Sequence, residues 1–276
     1  MPVALLHHAD FSPEALVASK RDRTVTVCLP ARDEAATVGA IVACVHDELV
    51  ARHPLVDEVL VVDDGSRDGT AAVARAGGAR VVATGGVGKG RAMWTGLREA
   101  QGDVVVFCDA DVENFASFFV TGLVGPLLVD ESIAFVKGSY GRPLNGRPGQ
   151  GGRVTELMAK PLLRALFPHL GGVDQPLGGE CAGRRRVLGK VPFVEGYGVD
   201  VGLVLDVAAM YGVGSMAQVD LGERRHRNRP LEELAGPAEE VMNVVLARAG
   251  IRPAVAQCPP ILSTRAPAPP GAVSPA

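Results

Sequence analysis

A chain of 276 residues, 47% of them hydrophobic, can bury a large core as one α/β domain or as two smaller domains. Its formal net charge of −3 argues against a general polyanion binder. No apolar run approaches the ~18 residues that cross a bilayer, and the first residues lack the basic start and long apolar segment of a signal peptide. The five cysteines form no C-x-x-C pair. We interpret them as small, buried apolar residues of a protein in a reducing cytosol. We therefore expect a soluble, cytoplasmic protein without a membrane partner.

The first half of the chain alternates between strand and helix patterns. Residues 24–30, TVTVCLP, are β-branched and apolar and stop at Pro30, and DEAATVGAIVACVHDELV then has helical spacing. Further strand patterns lie at 56–66, 79–84 and 103–111, separated by the helical sequences RDGTAAVARAGG and GRAMWTGLREAQG. This alternation predicts a parallel sheet covered by helices.

The second half is less regular. Residues 133–140 are typical of a strand, and GGRVTELMAKPLLRALFP is typical of a helix that Pro161 bends. YGVDVGLVLDVAAMYG predicts another helix, and SMAQVDLG predicts a strand that leads into the basic run ERRHRNRP. Residues 252–276 contain seven prolines and few charges, which indicates a flexible tail without a core of its own.

Each strand of the first half is followed by polar or glycine-bearing residues. In chain order the four endings are LPARDE, DDGS, TGGVGKG and DAD. Ligands of doubly wound sheets bind beyond the carboxyl ends of the strands, so the four endings would meet at one edge. A single acidic ending is unremarkable, whereas four polar endings in a row predict a shared ligand site.

The glycine-rich ending is close to two nucleotide motifs and fits neither. In GGVGKG, Gly90 stands where a phosphate loop needs Ser or Thr for magnesium, and Ala83 replaces the first glycine of that motif. Arg91 occupies the third glycine's place in G-x-G-x-x-G. NTP hydrolysis and NAD binding are thus unsupported, although Lys89 at a helix start favours an anion.

The pair Asp109 and Asp111 suits a divalent metal. Alternation along an extended chain would put both carboxylates on one side, close enough to share an ion. A metal at a strand end is a usual clamp for a diphosphate, whose charge it neutralises as a leaving group departs. D-x-D alone is a weak signal that also caps turns, but its place after the fourth strand strengthens it.

Several segments together resemble a known family. LPARDEAATVGAIV, VDDGSRDGT and GKGRAMWTGLREAQGDVVVFCDAD look like a nucleotide-sugar-dependent glycosyltransferase of the GT-A fold. VKGSYGRPL, GQGGRVTELMAKPLL, QPLGGE, GYGVDVGL and HRNRPL resemble the glucosyl-3-phosphoglycerate synthases and the related mannosyl-3-phosphoglycerate synthases. The resemblance covers roughly residues 14–250. It implies a Rossmann-like, mainly parallel α/β sheet flanked by helices, with a C-terminal acceptor-binding part.

The resemblance also suggests how the chain is divided. We expect an N-terminal extension at 1–23, a GT-A domain at 24–250 and a flexible Pro-rich tail at 251–276. Within the domain, residues 24–111 would form the nucleotide-sugar half and residues 112–250 the acceptor half. Relatives are dimers, so a homodimer is expected.

The nucleotide-sugar site is implied residue by residue. Leu177 would shape the sugar pocket, while Arg224 and Arg229 would hold the diphosphate. This chain departs from the family pattern at Arg32 and Asp33, where the family commonly has a neutral residue and Asn. The complete expected set is Pro30, Ala31, Arg32, Glu34, Asp64, Ser66, Lys89, Asp109, Leu177, Arg224 and Arg229.

The resemblance implies Asp111 and His226 as protein ligands of Mg²⁺ or Mn²⁺. Imidazole together with carboxylate and phosphate oxygens suits either metal. The arginines around His226 could instead be a solvated basic face or a nucleic-acid patch. The negative net charge and the lack of interleaved aromatic residues argue against nucleic acid as a partner.

The sequence GGRVTEL suggests an anion cradle. Gly151 and Gly152 let the backbone approach a ligand, and Arg153 and Thr155 add a cation and a hydroxyl at a helix start. 3-Phosphoglycerate carries a carboxylate and a phosphate and fits such a cradle, with Asn228 as a further donor. The alternative is a tight helix start with a surface arginine.

The family retains the anomeric configuration of the transferred sugar. Asp200 stands where relatives usually carry Glu, and its shorter side chain makes a nucleophilic role doubtful. We favour same-face attack, in which the departing diphosphate takes the acceptor proton and Lys89, Arg224 and Arg229 stabilise charge together with the metal. Asp200 would orient a sugar hydroxyl or act as a helper base.

The resemblance implies the function of a glucosyl-3-phosphoglycerate synthase, with UDP-glucose as the expected donor and D-3-phosphoglycerate as the expected acceptor. The alternatives are a mannosyl-3-phosphoglycerate synthase or a polyprenyl-phosphate glycosyltransferase of the same fold. A degenerate sugar-nucleotide sensor is a third, non-enzymatic alternative, which metal-dependent turnover would remove.

Overall fold

The computed structural model describes residues 3–143, 151–226, 230–251 and 255–263. Its strands are β1 Ala4–His7, β2 Val25–Ala31, β3 Glu58–Asp63, β4 Arg80–Ala83, β5 Val104–Phe107, β6 Phe135–Gly141, β7 Cys181–Arg184, β8 Phe193–Val194, β9 Met216–Glu223 and β10 Gln257–Cys258. Its α-helices are α1 Pro13–Lys20, α2 Val38–Val45, α3 Thr70–Ala76, α4 Lys89–Glu99, α5 Phe118–Val129, α6 Lys160–Leu166, α7 Arg185–Leu188, α8 Val199–Tyr211 and α9 Ala235–Arg248. In the part of the chain described, no helix is both long and apolar enough to cross a membrane.

Eight strands form one mixed sheet in the order β1-β9-β6-β7-β5-β2-β3-β4. β7 runs antiparallel to both of its neighbours, and the other neighbouring pairs run parallel. The predicted, mainly parallel α/β sheet is therefore confirmed. β8 and β10 form a separate antiparallel pair beside it.

Helices cover both faces of the sheet because the buried strands alternate their side chains between two apolar layers. Val59 and Val61 of β3 belong to the layer under α1, α2 and α5, whereas Leu60 and Val62 belong to the layer under α4, α8 and α9. This arrangement leaves the carboxyl ends of β2, β3 and β5 uncovered at one edge.

The sequence pattern predicted that β2 stops at Pro30, but the strand continues to Ala31. The carbonyl of Cys28 accepts the Cys108 N–H on the β5 side, and that of Ala31 accepts the Asp64 N–H on the β3 side. Pro30 therefore faces β5, which has already ended, and its missing N–H costs no ladder bond.

The segments set aside as an extension and a tail contribute to the fold. β1, from residues 1–23, pairs in parallel with β9 at the edge of the main sheet. β10, from residues 251–276, pairs with β8. In the predicted helix after Gly152, a π-helical turn at Thr155–Ala159 precedes α6, which has Pro161 in its first turn, where a missing N–H is tolerated.

Candidate active site

Two adjoining cavities lie at the carboxyl ends of the strands. The strand-end cavity, about 240 Å³, is lined by Pro30, Ala31, Arg32, Glu34 and Asp64 among the predicted residues. The central cavity, about 200 Å³, is lined by Gly152, Arg153, Thr155, Leu177, Asp200, Arg224 and His226. Lys89, Asp109, Asp111 and Tyr197 line both cavities, so the two spaces meet at these side chains.

Asp64, which follows β3, anchors the glycine-rich loop. Its carboxylate accepts the N–H groups of Val87 and Gly88 at 2.8 and 2.9 Å and the hydroxyl of Thr84. These bonds fix the loop directly before α4 and thereby place Lys89, the first residue of that helix. The half-exposed Arg32 lies 3.9 Å from the same carboxylate.

Lys89 bridges two carboxylates at the junction of the cavities. Its Nζ lies 2.8 Å from Asp109 Oδ1 and 3.0 Å from Asp200 Oδ2. Burial opposes the charged ammonium, but the two carboxylates outweigh it and raise the pKa of Lys89 well above its ordinary value. Burial also raises the pKa of Asp200, which Lys89 only partly offsets.

Arg224, directly after β9, holds three carboxylates. Its Nη2 donates to Asp109 Oδ2 at 2.9 Å and to Asp111 Oδ1 at 2.7 Å, and its Nε donates to Glu180 Oε1 at 2.8 Å. Burial alone would raise the pKa of Asp109, but Lys89 and Arg224 hold it well below its usual range. Asp109 is therefore a partly exposed anion held between two cations.

The D-x-D pair converges for a different reason from the one predicted. β5 ends at Phe107, so Asp109 and Asp111 lie in the turn that follows it and not on an alternating strand. They come together because both accept hydrogen bonds from Arg224 Nη2. Gly179 makes room for the turn, since a Cβ there would lie 2.0 Å from Asp109 Oδ1.

Asp111 and His226 both line the central cavity and carry donor atoms of the kind that bind divalent metals. Burial, followed by the positive charges of Arg224 and Arg142, lowers the pKa of His226 to about 4, so its imidazole is neutral and can offer a lone pair. Over the described ranges, no group of three or more His, Cys, Asp or Glu residues is arranged to hold an ion. Two protein ligands are typical where substrate phosphates complete the coordination.

The glycine pair before the anion cradle has two separate roles. A Cβ on Gly151 would lie 2.8 Å from the Cβ and carbonyl oxygen of Arg142, so this glycine makes room for the chain at Arg142. Gly152 has φ +71° and borders the central cavity with Arg153 and the buried Thr155. The predicted cradle thus opens into the same space as Arg224 and His226.

Three predicted residues stand apart. Ser66 lines neither cavity, and its Oγ accepts the N–H of Asp33, which has φ 57°, at 2.9 Å. Ser66 therefore supports the loop that follows β2. Asn228 and Arg229 lie outside the described residues.

Four residues at the site had no role assigned from the sequence. Arg142 and Tyr197 line the central cavity, and Tyr140 and Glu180 lie buried behind it. Arg142 follows the end of β6 just as Arg224 follows the end of β9, so the rule about strand ends would have identified it. No local signal marks Glu180, whose importance depends on partners far away in the sequence.

A cavity of about 600 Å³ lies at the opposite end of the strands. Three of the five arginines that line it, Arg23, Arg184 and Arg185, donate to main-chain carbonyls, and Arg184 binds those of Ile133, Leu127 and Asp130. Such bonds satisfy the C-terminal end of a helix, here α5, and are a structural use of arginine.

This chain is similar to a known family model and to several known proteins. The model of glycosyl transferase family 2 matches residues 26–190. The glucosyl-3-phosphoglycerate synthase of Mycolicibacterium paratuberculosis is 46% identical over 252 residues, which are 86% of this chain and 75% of that protein.

Two crystal structures of the Mycobacterium tuberculosis glucosyl-3-phosphoglycerate synthase are also similar, each at 40% identity. One, in complex with Mn²⁺, UDP-glucose and phosphoglyceric acid, has a TM-score of 0.88 and covers 96% of this chain and 100% of its own. The other, with Mg²⁺ and UDP, has a TM-score of 0.86 and covers 95% of this chain and 99% of its own. This chain therefore belongs to glycosyltransferase family 2 and, within it, to the family of the glucosyl-3-phosphoglycerate synthases.

Proposed function

We propose that the protein transfers glucose from UDP-glucose to D-3-phosphoglycerate, with retention of the anomeric configuration and with Mg²⁺ or Mn²⁺. The observation that carries the proposal is the junction of two cavities at Lys89, Asp109 and Asp111. One cavity offers the strand ends typical of nucleotide binding, and the other offers converging cations for an anionic acceptor. The family and the ligands of its crystallised relatives support both substrates.

The strand-end cavity is the expected place of the nucleotide. Uracil and ribose would contact Pro30, Ala31, Arg32 and Glu34, with Asp64 beside them. Ser66 would act indirectly, by holding the loop at Asp33. Leu177 would border the glucose, and Asp109 would meet the ribose and sugar side.

Asp111 and His226 would hold the metal, which when bound neutralises the charge of the diphosphate. The buried Arg224 and the partly buried Lys89 add two cations around the same point. Arg229 is proposed as a further diphosphate contact.

The central cavity suits 3-phosphoglycerate because Arg142 and Arg153 line it together with Thr155 and the Gly152 backbone. Asn228 is proposed as one more donor. Phosphate and carboxylate held in this way would leave the single free hydroxyl of the acceptor, on C2, to face the sugar.

The reaction needs one bond exchange on one face of the glucose. The bond from C1 to the diphosphate oxygen breaks, the bond from C1 to the acceptor oxygen forms, and the acceptor proton passes to the departing diphosphate. Lys89 and Arg224 stabilise the charge that develops on the diphosphate. Asp200 would orient a sugar hydroxyl or assist proton removal.

We further propose a cytoplasmic homodimer without nucleic-acid or membrane partners. All five cysteines are unpaired and four are buried, which supports a reducing compartment. The dimer is proposed from the family resemblance, and light scattering would test it.

The proposal is tested by nucleotide release from UDP-glucose, GDP-glucose and GDP-mannose, each with and without 3-phosphoglycerate and metal. We expect release that needs both additions and is fastest with UDP-glucose. Lys89→Met, purified in parallel, should lose at least about 100-fold in kcat and so reports contaminating activity. A preference for GDP-mannose would indicate the mannosyl enzyme, and the lack of 3-phosphoglycerate-dependent release with every donor would overturn the acceptor.

A further inference from the structure

Glu180 is a fully buried carboxylate behind the cavities. It lies directly before β7, its side chain is 0% exposed, and it lines neither cavity. Oε1 accepts the Nε–H of Arg224 at 2.8 Å, and Oε2 accepts the hydroxyl of Tyr140. A buried charge of this kind is costly unless its oxygens are satisfied, and here both oxygens have donors.

Tyr140 extends this contact to a second arginine. Its hydroxyl oxygen also accepts a hydrogen bond from Arg142 Nη2 at 3.1 Å. The guanidinium carbons of Arg142 and Arg224 lie 5.2 and 5.8 Å from the centre of its ring, within the range of cation–π attraction. Tyr140 thus touches the arginine of the acceptor side and the arginine of the diphosphate side.

The other carboxylates around Arg224 are substrate-facing and Glu180 is not. Asp109 and Asp111 border both cavities, where the proposed sugar and metal would engage them. Once ligands take those two carboxylates, Glu180 is the partner that still fixes the plane of Arg224 through Nε. Tyr140 transmits the same constraint to Arg142.

We propose that Glu180 is a positioning residue that, through Tyr140, orients Arg224 and Arg142 together and so couples the donor side of the site to the acceptor side. This inference rests on the proposed function of the same site. The three residues come from neighbouring strands of the sheet: Tyr140 lies in β6, Glu180 directly precedes β7 and Arg224 directly follows β9.

The test compares Glu180→Gln and Tyr140→Phe with a matched control, Glu58→Gln. Glu58 is also a shielded carboxylate that binds an arginine and a hydroxyl, Arg80 and Thr26, but it lies at the opposite end of the sheet. Steady-state kinetics would give kcat and the KM for each substrate. Thermal unfolding would give the folded fraction of each variant.

Glu180→Gln should raise KM for both UDP-glucose and 3-phosphoglycerate at least about 5-fold and lower kcat at least about 10-fold. Tyr140→Phe leaves Glu180 on Arg224, so KM for 3-phosphoglycerate should rise about 3- to 10-fold while KM for UDP-glucose stays within about twofold. Glu58→Gln should leave both KM values within about twofold, since it touches no site residue.

Kinetic constants of Glu180→Gln that match those of Glu58→Gln would overturn the proposal. A Glu180→Gln variant in which KM changes for only one of the two substrates would also overturn it. If Glu180→Gln does not fold, Tyr140→Phe decides, and an unchanged KM for 3-phosphoglycerate rejects the coupling. Wild-type protein without 3-phosphoglycerate-dependent turnover would instead reject the proposed function. Calorimetry would then measure how tightly the wild type and the same variants bind UDP with Mn²⁺. Equal affinities for the wild type and Glu180→Gln would reject a role for Glu180 in positioning Arg224.

Discussion

Asp200 shows, at the scale of one residue, how burial prepares a group for chemistry. It is 3% exposed, and its Oδ1 has no hydrogen-bond partner within the described part of the chain, while Oδ2 pairs with Lys89. An unsatisfied buried oxygen is unfavourable for folding and is typical of an atom that meets substrate. Because it borders the central cavity, a sugar or acceptor hydroxyl is its expected partner.

Asp200→Asn should lower kcat at least about 10-fold, because the amide keeps the shape but cannot accept a proton. A base acts when ionised, so activity is complete above the pKa of Asp200 and is lost as the pH falls through it. Burial raises that pKa, so the acidic limb of wild-type kcat should lie above the ~3.9 of an ordinary aspartate. The pH profiles of both proteins measure this. Near-normal turnover in the variant would make a base or nucleophile role untenable.

At the scale of one element, the start of α4 is fixed by a glycine. A Cβ on Gly90 would lie 1.8 Å from the carbonyl oxygen of Val194 in β8, so only glycine lets the helix pack there. The Ser or Thr of a phosphate loop is excluded by the same contact. The position of Lys89 therefore depends on a backbone approach and not only on its own ion pairs.

Gly90→Ala should lower the free energy of unfolding by about 1–3 kcal/mol through overpacking, although alanine in a helix normally stabilises by about 1 kcal/mol over glycine. Denaturant unfolding gives this value, and the KM for UDP-glucose should rise with the displaced Lys89. Gly214→Ala is the control, because its Cβ would meet nothing within 4 Å. Equal or greater stability of Gly90→Ala would contradict the packing argument.

At the scale of the whole molecule, what could be predicted depends on whether the signal is local. Each strand of the first half carries its own apolar run and polar ending, and parallel pairing brings those endings to one edge, so Asp64, Lys89 and Asp109 were predictable. The link between Glu180, Tyr140 and Arg224 was not. It arises from the order β9-β6-β7, which joins segments distant in sequence.

The same reason explains the errors in local structure. The end of β2 depends on where β5 stops, and the convergence of Asp109 and Asp111 depends on a guanidinium more than 110 residues later. The place of β1 depends on β9, near the other end of the fold. Each of these features is set by a partner strand or side chain that the local pattern does not contain.

The measurement that tests the assigned reaction most directly is the proton NMR spectrum of the product formed from UDP-glucose, 3-phosphoglycerate and Mn²⁺. Retention predicts one new anomeric signal with the small H1–H2 coupling of an α-glucoside, on the single free hydroxyl of 3-phosphoglycerate. A β-glucoside would contradict same-face attack. Free glucose with unchanged 3-phosphoglycerate would contradict the acceptor, and with it the role given to the central cavity.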